Sequence, residues 1–197
     1  MRRCTILQLH LIPTIMKFIA SILLKTLVVA STFSLAACTP KYDWREVRGE
    51  NATYVIALPS KPTTFTRTID LNGTPVSMTM VAAEVEGVTF AVGSAELPDA
   101  TQAQVLVNAM KTAMVNNIGG KIRQEKVLTM AQSPYAAGKV AVTEVEASGP
   151  AANGQNRILF GRFVAKEKRV YQVVVLGAEK GLKRDTIDTF FSSFKFN

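Results

Sequence analysis

The chain has 197 residues, 48% hydrophobic and 19% charged, with only 12 Gly and 8 Pro. This composition excludes a disordered or low-complexity chain, which could not bury enough apolar surface to fold. The formal net charge is +8, but four basic residues (Arg2, Arg3, Lys17 and Lys25) and no acidic ones fall in the first 37 positions, which leaves +4 for the remainder. That excess is too small for the clustered basic surface of a nucleic-acid binder.

From Thr26 to Leu35 the sequence is largely apolar, and it closes on Leu35-Ala36-Ala37-Cys38. An apolar run ended by small residues is the pattern of an export signal. This ending resembles the lipobox of bacterial lipoproteins. The resemblance implies that Cys38 becomes the first mature residue, with a diacylglycerol on its sulfur and a third acyl chain, such as palmitate, on its amine. That is enough buried methylene for a stable membrane anchor. Translation beginning at Met16, with Lys17 and Lys25 as the charged end, gives a signal of ordinary length; a start at Met1 gives an unusually long one. An uncleaved span over Phe18–Ala37 is the competing reading, and Lys25 in its middle and Cys38 at its end argue against it. In Gram-negative lipoproteins an Asp after the cysteine marks inner-membrane retention. Thr39 stands here, so the resemblance implies the outer membrane, facing the periplasm.

Cys4 and Cys38 are the only cysteines and His10 the only histidine. After loss of residues 1–37 and acylation of Cys38, the exported chain offers no thiol or imidazole. Ser-His-Asp and Cys-His catalysis and His-ligated zinc are therefore outside its chemistry. The expectation is a protein that is not an enzyme, with no cofactor and no metal. Residues 38–53 read as a lipidated tether and 54–197 as a single domain, a length that suits one core.

Tyr54–Leu58 is short, apolar and β-branched before Pro59, which predicts a first strand. Thr64, Thr66, Thr68 and Asp70 alternate with Phe65, Arg67, Ile69 and Leu71, predicting a half-buried strand that enters an Asn72-Gly73 type I′ turn. Val76, Met78 and Met80 line the returning strand, and Gly87 separates it from Val88–Val92. At Pro98-Asp99 the period changes to about 3.6. Asp99 or Thr101 is the N-cap of a helix with the stripe Ala103, Leu106, Ala109, Met110, Ala113, Met114 and Ile118, stopped by Gly119-Gly120. Lys111 and Lys121 stand on the favourable side of its dipole. Four further strands are predicted at 123–130, 139–147, 157–165 and 170–177, with Ser148–Gly154 as a long flexible loop and Lys166–Arg169 as a charged hairpin. The apolar run Val173–Leu176 requires cover on both faces of its sheet. Ile187, Phe190, Phe191 and Phe194 recur at i, i+3, i+4 and i+7, predicting a C-terminal helix that lays rings on the sheet. The fold class is α+β, an α/β/α sandwich with a mainly antiparallel sheet, a central helix and a C-terminal helix.

Leu58-Pro59-x-Lys61-Pro62, the Ala-rich central helix, Gly161-Arg162-Phe163, Arg169-Val170-Tyr171 and the closing Phe190-Phe191-x-x-Phe194-Lys195-Phe196 together resemble the PsbP/DcrB-like sandwich of small bacterial lipoproteins and photosystem II extrinsic subunits. The resemblance covers Tyr54–Asn197 and implies that fold, used for scaffolding and assembly; it transfers no functional residue.

Two carboxylate pairs, Glu84/Glu86 and Glu144/Glu146, have the i, i+2 spacing that puts both members on one strand face. A cation site or acid–base pair is weighed there against an ordinary wet strand face, which the absence of an Asp/Asn-rich loop favours. Arg157, Arg162, Lys166, Lys168 and Arg169 form a candidate anionic-partner surface for glycan or lipid; edge-strand lysines that prevent aggregation are the plainer reading. Trp44 packs at the domain base or sits at the membrane interface. The functional expectation is a lipid-anchored binding protein of cell-envelope assembly or maintenance, held to the membrane by its lipid and meeting an envelope protein partner. The alternative is a carrier with an apolar cavity lined by Met110, Met114 and Phe190.

Overall fold

Among the described residues, ten strands and two α-helices build the domain in the order β1 (Arg45–Arg48), β2 (Tyr54–Leu58), β3 (Thr63–Leu71), β4 (Thr74–Val85), β5 (Val88–Glu96), α1 (Ala103–Asn117), β6 (Lys121–Ser133), β7 (Ala136–Pro150), β8 (Asn156–Lys166), β9 (Arg169–Ala178), α2 (Arg184–Ser193) and β10 (Lys195–Phe196). The computed structural model describes residues 40–50, 52–150 and 156–197. The expected export signal, the Leu35–Cys38 motif and Thr39 lie outside the described residues. One compact unit runs from Tyr42 to Asn197, so β1 belongs to the folded domain although its residues read as tether.

Seven strands form one sheet in the order β3-β4-β5-β9-β8-β7-β6, antiparallel throughout. Two of its connections are two-residue turns with positive φ at both positions, a geometry that matches the strands' right-handed twist. Asn72 (φ 56°) and Gly73 (φ 83°) make the predicted turn, locked by the Asp70 carboxylate, which accepts from the Gly73 N–H at 2.8 Å. Glu86-Gly87 does the same between β4 and β5, with φ 51° and 75°. The remaining described strands, β1, β2 and β10, pair as a separate three-stranded sheet.

The main sheet separates two cores. On its first face α1 packs Leu106, Val107, Met110, Val115 and the adjoining Ile118 against Ala91, Leu159, Phe163 and Val174. Met110 is buried as expected, but Ala113 is exposed and Val107 and Val115 take the inward positions. The predicted stripe runs one side too far around the helix. Asp99 caps a preceding 3-10 turn, accepting from Thr101 N at 2.9 Å, rather than the α-helix itself. Gly149 is required where α1 runs into β6, since a Cβ there would meet the Ile118 carbonyl oxygen at 2.0 Å.

On the second face, α2 and the small sheet bury Tyr54, Ile56, Leu58, Phe190, Phe191, Phe194 and Phe196 against Phe90, Val92, Tyr171 and Val173. Edge-on ring pairs (Phe90–Phe190 at 5.3 Å, Tyr171–Phe196 at 5.1 Å) fill this core. The Ser193 hydroxyl accepts from Ala57 N at 3.0 Å and so ties α2 to β2. Trp44 packs against this same core and against Tyr42, 5.9 Å between centroids. Burial on both faces of Val173–Val175 confirms the two-sided cover that its apolar run demanded.

Three expectations are corrected. Segment 63–71 is exposed along nearly its whole length, because β3 is an edge strand. Ser148, Gly149 and Pro150 belong to β7 rather than to a loop, paired with Ile158, Arg157 and Asn156; residues 151–155 lie outside the described residues. Met110 and Phe190 lie in different cores on opposite faces of the sheet, so no cavity has both as walls.

Candidate functional site

The five cations read as one anionic-partner surface are not brought together. β8 and β9 lie inside the sheet rather than at its edge. Arg157 opens β8 opposite Ala178, whereas Lys166 and Arg169 pair at the far end of the same hairpin, a strand length of about 30 Å. Three of the five are engaged within the chain. Arg162 Nε donates to Glu144 Oε2 at 2.7 Å and Nη1 to the Phe191 carbonyl at 3.2 Å, with the guanidinium 4.6 Å above the Phe191 ring. Lys166 Nζ stands 4.9 Å over Phe196, and Arg169 Nη2 donates to Glu96 Oε2 at 2.5 Å. Lys168 is exposed in the turn. Cys38 lies outside the described residues.

Of the carboxylate pairs, Glu86 has left its strand for the positive-φ turn, so it does not share a face with Glu84. Glu144 and Glu146 do share the α2-facing side of β7. Glu144 bridges Lys126 (2.8 Å) and Arg162, while Glu146 meets Arg184 at 3.6 Å and Arg123 at 4.0 Å. Burial pushes the Glu144 carboxyl up, but the hydrogen bonds and charges of Lys126 and Arg162 outweigh it and hold the group below the usual carboxylate range. These partners make the pair a clasp that fastens α2 to β6–β8. Among the described residues no three His, Cys, Asp or Glu side chains gather into a metal-holding group.

The second face of the sheet also carries a cleft of about 500 Å³, between the segment after β1 and the strands β3, β4 and β5. Register builds its floor. Thr66 stands opposite Thr79, Thr79 opposite Ser94 and Ser94 opposite Tyr171, so four hydroxyl residues form one row across four strands. Thr64 and Ser77 flank that row. Thr66 and Thr79 hydrogen-bond each other at 2.9 Å. Arg48 and Glu50 wall one side, and the Glu96–Arg169 ion pair lies at the other.

Two hydroxyl residues in the lining are almost wholly buried, Tyr54 (1% exposed) and Ser94 (6%). Neither side chain hydrogen-bonds to another described residue, and no buried side-chain polar atom of the described residues is left sealed from solvent without a partner. Both residues line the cleft. Burial, with Tyr171 adding to it, pushes the Tyr54 phenol up to about 12, so it remains a neutral donor and acceptor. Gly49 has to be glycine here, since a Cβ would meet the Tyr54 ring at 2.4 Å. The sequence carries a trace of this site in the polar residues at i, i+2 spacing on successive hairpin strands: Thr64/Thr66, Ser77/Thr79 and Ser94/Glu96. The row itself depends on register, which spacing within one strand does not give.

No protein-family model and no curated protein matches the chain. Among solved structures, one from Bacteroides thetaiotaomicron VPI-5482 aligns at TM-score 0.45 and 8% identity over 78% of this chain and 48% of its own. A Pseudomonas aeruginosa protein of unknown function aligns at TM-score 0.32 and 10% identity, over 70% of this chain and 84% of its own. The chain spans about half the length of the Bacteroides protein. At these scores neither likeness bears on fold family or function.

Proposed function

We propose that the protein is a lipid-anchored, non-enzymatic binding protein of the cell envelope, attached through Cys38 to the outer membrane and facing the periplasm. The observation that carries this reading is the Leu35-Ala36-Ala37-Cys38 motif, placed four residues ahead of the compact unit that begins at Tyr42. With the only histidine and the other cysteine upstream of Cys38, the exported domain is left with hydroxyls, carboxylates and cations. Those groups suit recognition better than nucleophilic catalysis, which needs an adjacent base. The lipid confines the domain to a membrane surface and raises its effective concentration toward envelope partners. A PsbP/DcrB-like relationship, with its scaffolding use, belongs to the same proposal and is supported by the mainly antiparallel sheet with a helix on each face.

Mass spectrometry of the mature N-terminus tests the reading. The wild-type chain is expected to start at a triacylated Cys38, and Cys38→Ser to accumulate as the larger, signal-bearing precursor. An unmodified Cys38, or cleavage at another position, overturns it.

A further inference from the structure

The cleft between the segment after β1 and strands β3–β5 has a composition that selects among ligands. Its charged lining is balanced, with Arg48 and Arg169 against Glu50 and Glu96, and both arginines are already engaged, Arg48 by Glu46 at 3.0 Å and Arg169 by Glu96. A site for an anion or a cation needs a surplus of the opposite sign. An apolar ligand would shut the hydroxyl residues of the lining away from water with nothing to bond, a desolvation cost that its own burial would have to offset. A neutral ligand dense in hydroxyls avoids both penalties. Every Ser, Thr and Tyr hydroxyl in the lining is donor and acceptor at once, and so is every hydroxyl of a sugar. The volume of about 500 Å³ lies in the range of small-molecule sites.

From these features we infer that the cleft binds a neutral carbohydrate unit, seated on the Thr66–Thr79–Ser94 row and held from the side by Tyr54. The Thr66–Thr79 hydrogen bond pre-orients two of the hydroxyls, and burial fixes Tyr54 and Ser94, so little side-chain freedom is lost on binding. The inference rests on the reading of the domain as a binding module and is independent of its lipid anchor.

The test titrates the full chain, solubilised in a sugar-free detergent, with maltose and with N,N′-diacetylchitobiose while backbone amide shifts are recorded. Saturable millimolar binding of at least one sugar is expected, with the largest shifts at residues 64–66, 77–79 and 94. Ser94→Ala and Thr79→Val should each weaken it about tenfold, the equivalent of one lost hydrogen bond. Thr64→Val, on the exposed edge strand, serves as a third variant should either of these lower the unfolding midpoint. No saturation by either sugar overturns the inference, as does binding that the variants leave unchanged, shifts centred elsewhere, or tighter binding of the charged sugar galacturonate. None of these outcomes touches acylation of Cys38, so the anchor and the ligand fail separately.

Discussion

Replacing Phe190 by alanine tests whether the C-terminal helix holds the domain together. Its ring is 0% exposed, edge-on to Phe90 of β5 at 5.3 Å and tilted against Phe191 at 5.6 Å. Truncating a buried Phe costs about 3–5 kcal/mol, the larger values applying where the surroundings cannot close the cavity. Collapse is resisted here from both sides. Phe90 sits on a strand hydrogen-bonded to β4 and β9, and α2 is pinned at the Ala57–Ser193 and Arg162–Phe191 hydrogen bonds. We therefore expect a loss of about 4–5 kcal/mol, a large share of a typical domain's stability. For a chain of this size that lowers the thermal midpoint by about 8–20 °C. Circular dichroism melts of wild type, Phe190→Ala and Phe190→Leu measure it, with Leu refilling part of the space and recovering part of the shift. An unshifted midpoint for Phe190→Ala, or a Leu variant as unstable as Ala, refutes the cavity argument.

Gly73→Val should cost about 1–2 kcal/mol. The position has φ +83° with open space around it, so the penalty is conformational, and an unchanged urea midpoint would refute it. Glu144 is held below the ordinary glutamate value of about 4.5, so its contribution is present above that pH and is lost as pH falls through the lowered folded value. Glu144→Gln should be less stable than wild type at neutral pH, by a margin that shrinks below about pH 4.5; a margin independent of pH would show that the clasp is not electrostatic. Tyr54 ionises near 12 when folded and near 10 when unfolded, so stability should be unaffected below pH 10 and fall between about 10 and 12. Tyr54→Phe should flatten that fall, leaving the smaller slope from Tyr171, whose phenol is also raised; an unaltered slope would mean that Tyr54 is solvated.

The local elements were legible because each has a signal carried within a few residues. Asn72-Gly73 dictates its own turn, the Ile187/Phe190/Phe191/Phe194 spacing dictates one buried helix face, and Val173–Val175 announces cover on both sides. What was not legible depends on strand order. Lys166 and Arg169 looked like the charged tip of an edge hairpin, yet β8 and β9 are interior strands: Lys166 stands over Phe196, while Arg162 and Arg169 reach Glu144 and Glu96, 18 and 73 residues away. β1 and β10 escaped notice because four and two residues carry no period. Each exists by pairing with β2, which offers an edge on either side.

The same long-range order explains why the cleft is where it is. Seven strands at about 4.8 Å spacing make a sheet some 29 Å across, wider than one helix of about 10 Å can cover. On the first face α1 is five residues longer than α2; on the second, α2 needs the small sheet beside it. The limit of that cover can be read along the strands. On β4 the second face passes from buried Val81 to half-buried Thr79 and exposed Ser77, and on β5 from Val92 to Ser94 and exposed Glu96. The change comes at one level, since Val81 pairs with Val92 and Thr79 with Ser94. A face left open with apolar residues would be an aggregation surface beside the edge strand β3, and charge of one sign would repel itself. Short hydroxyl side chains satisfy both constraints and leave room above them. The open corner is therefore polar, neutral and concave for reasons of folding alone, and the nearly buried Tyr54 and Ser94 in its lining are what the sugar titration singles out from an uncovered strand face.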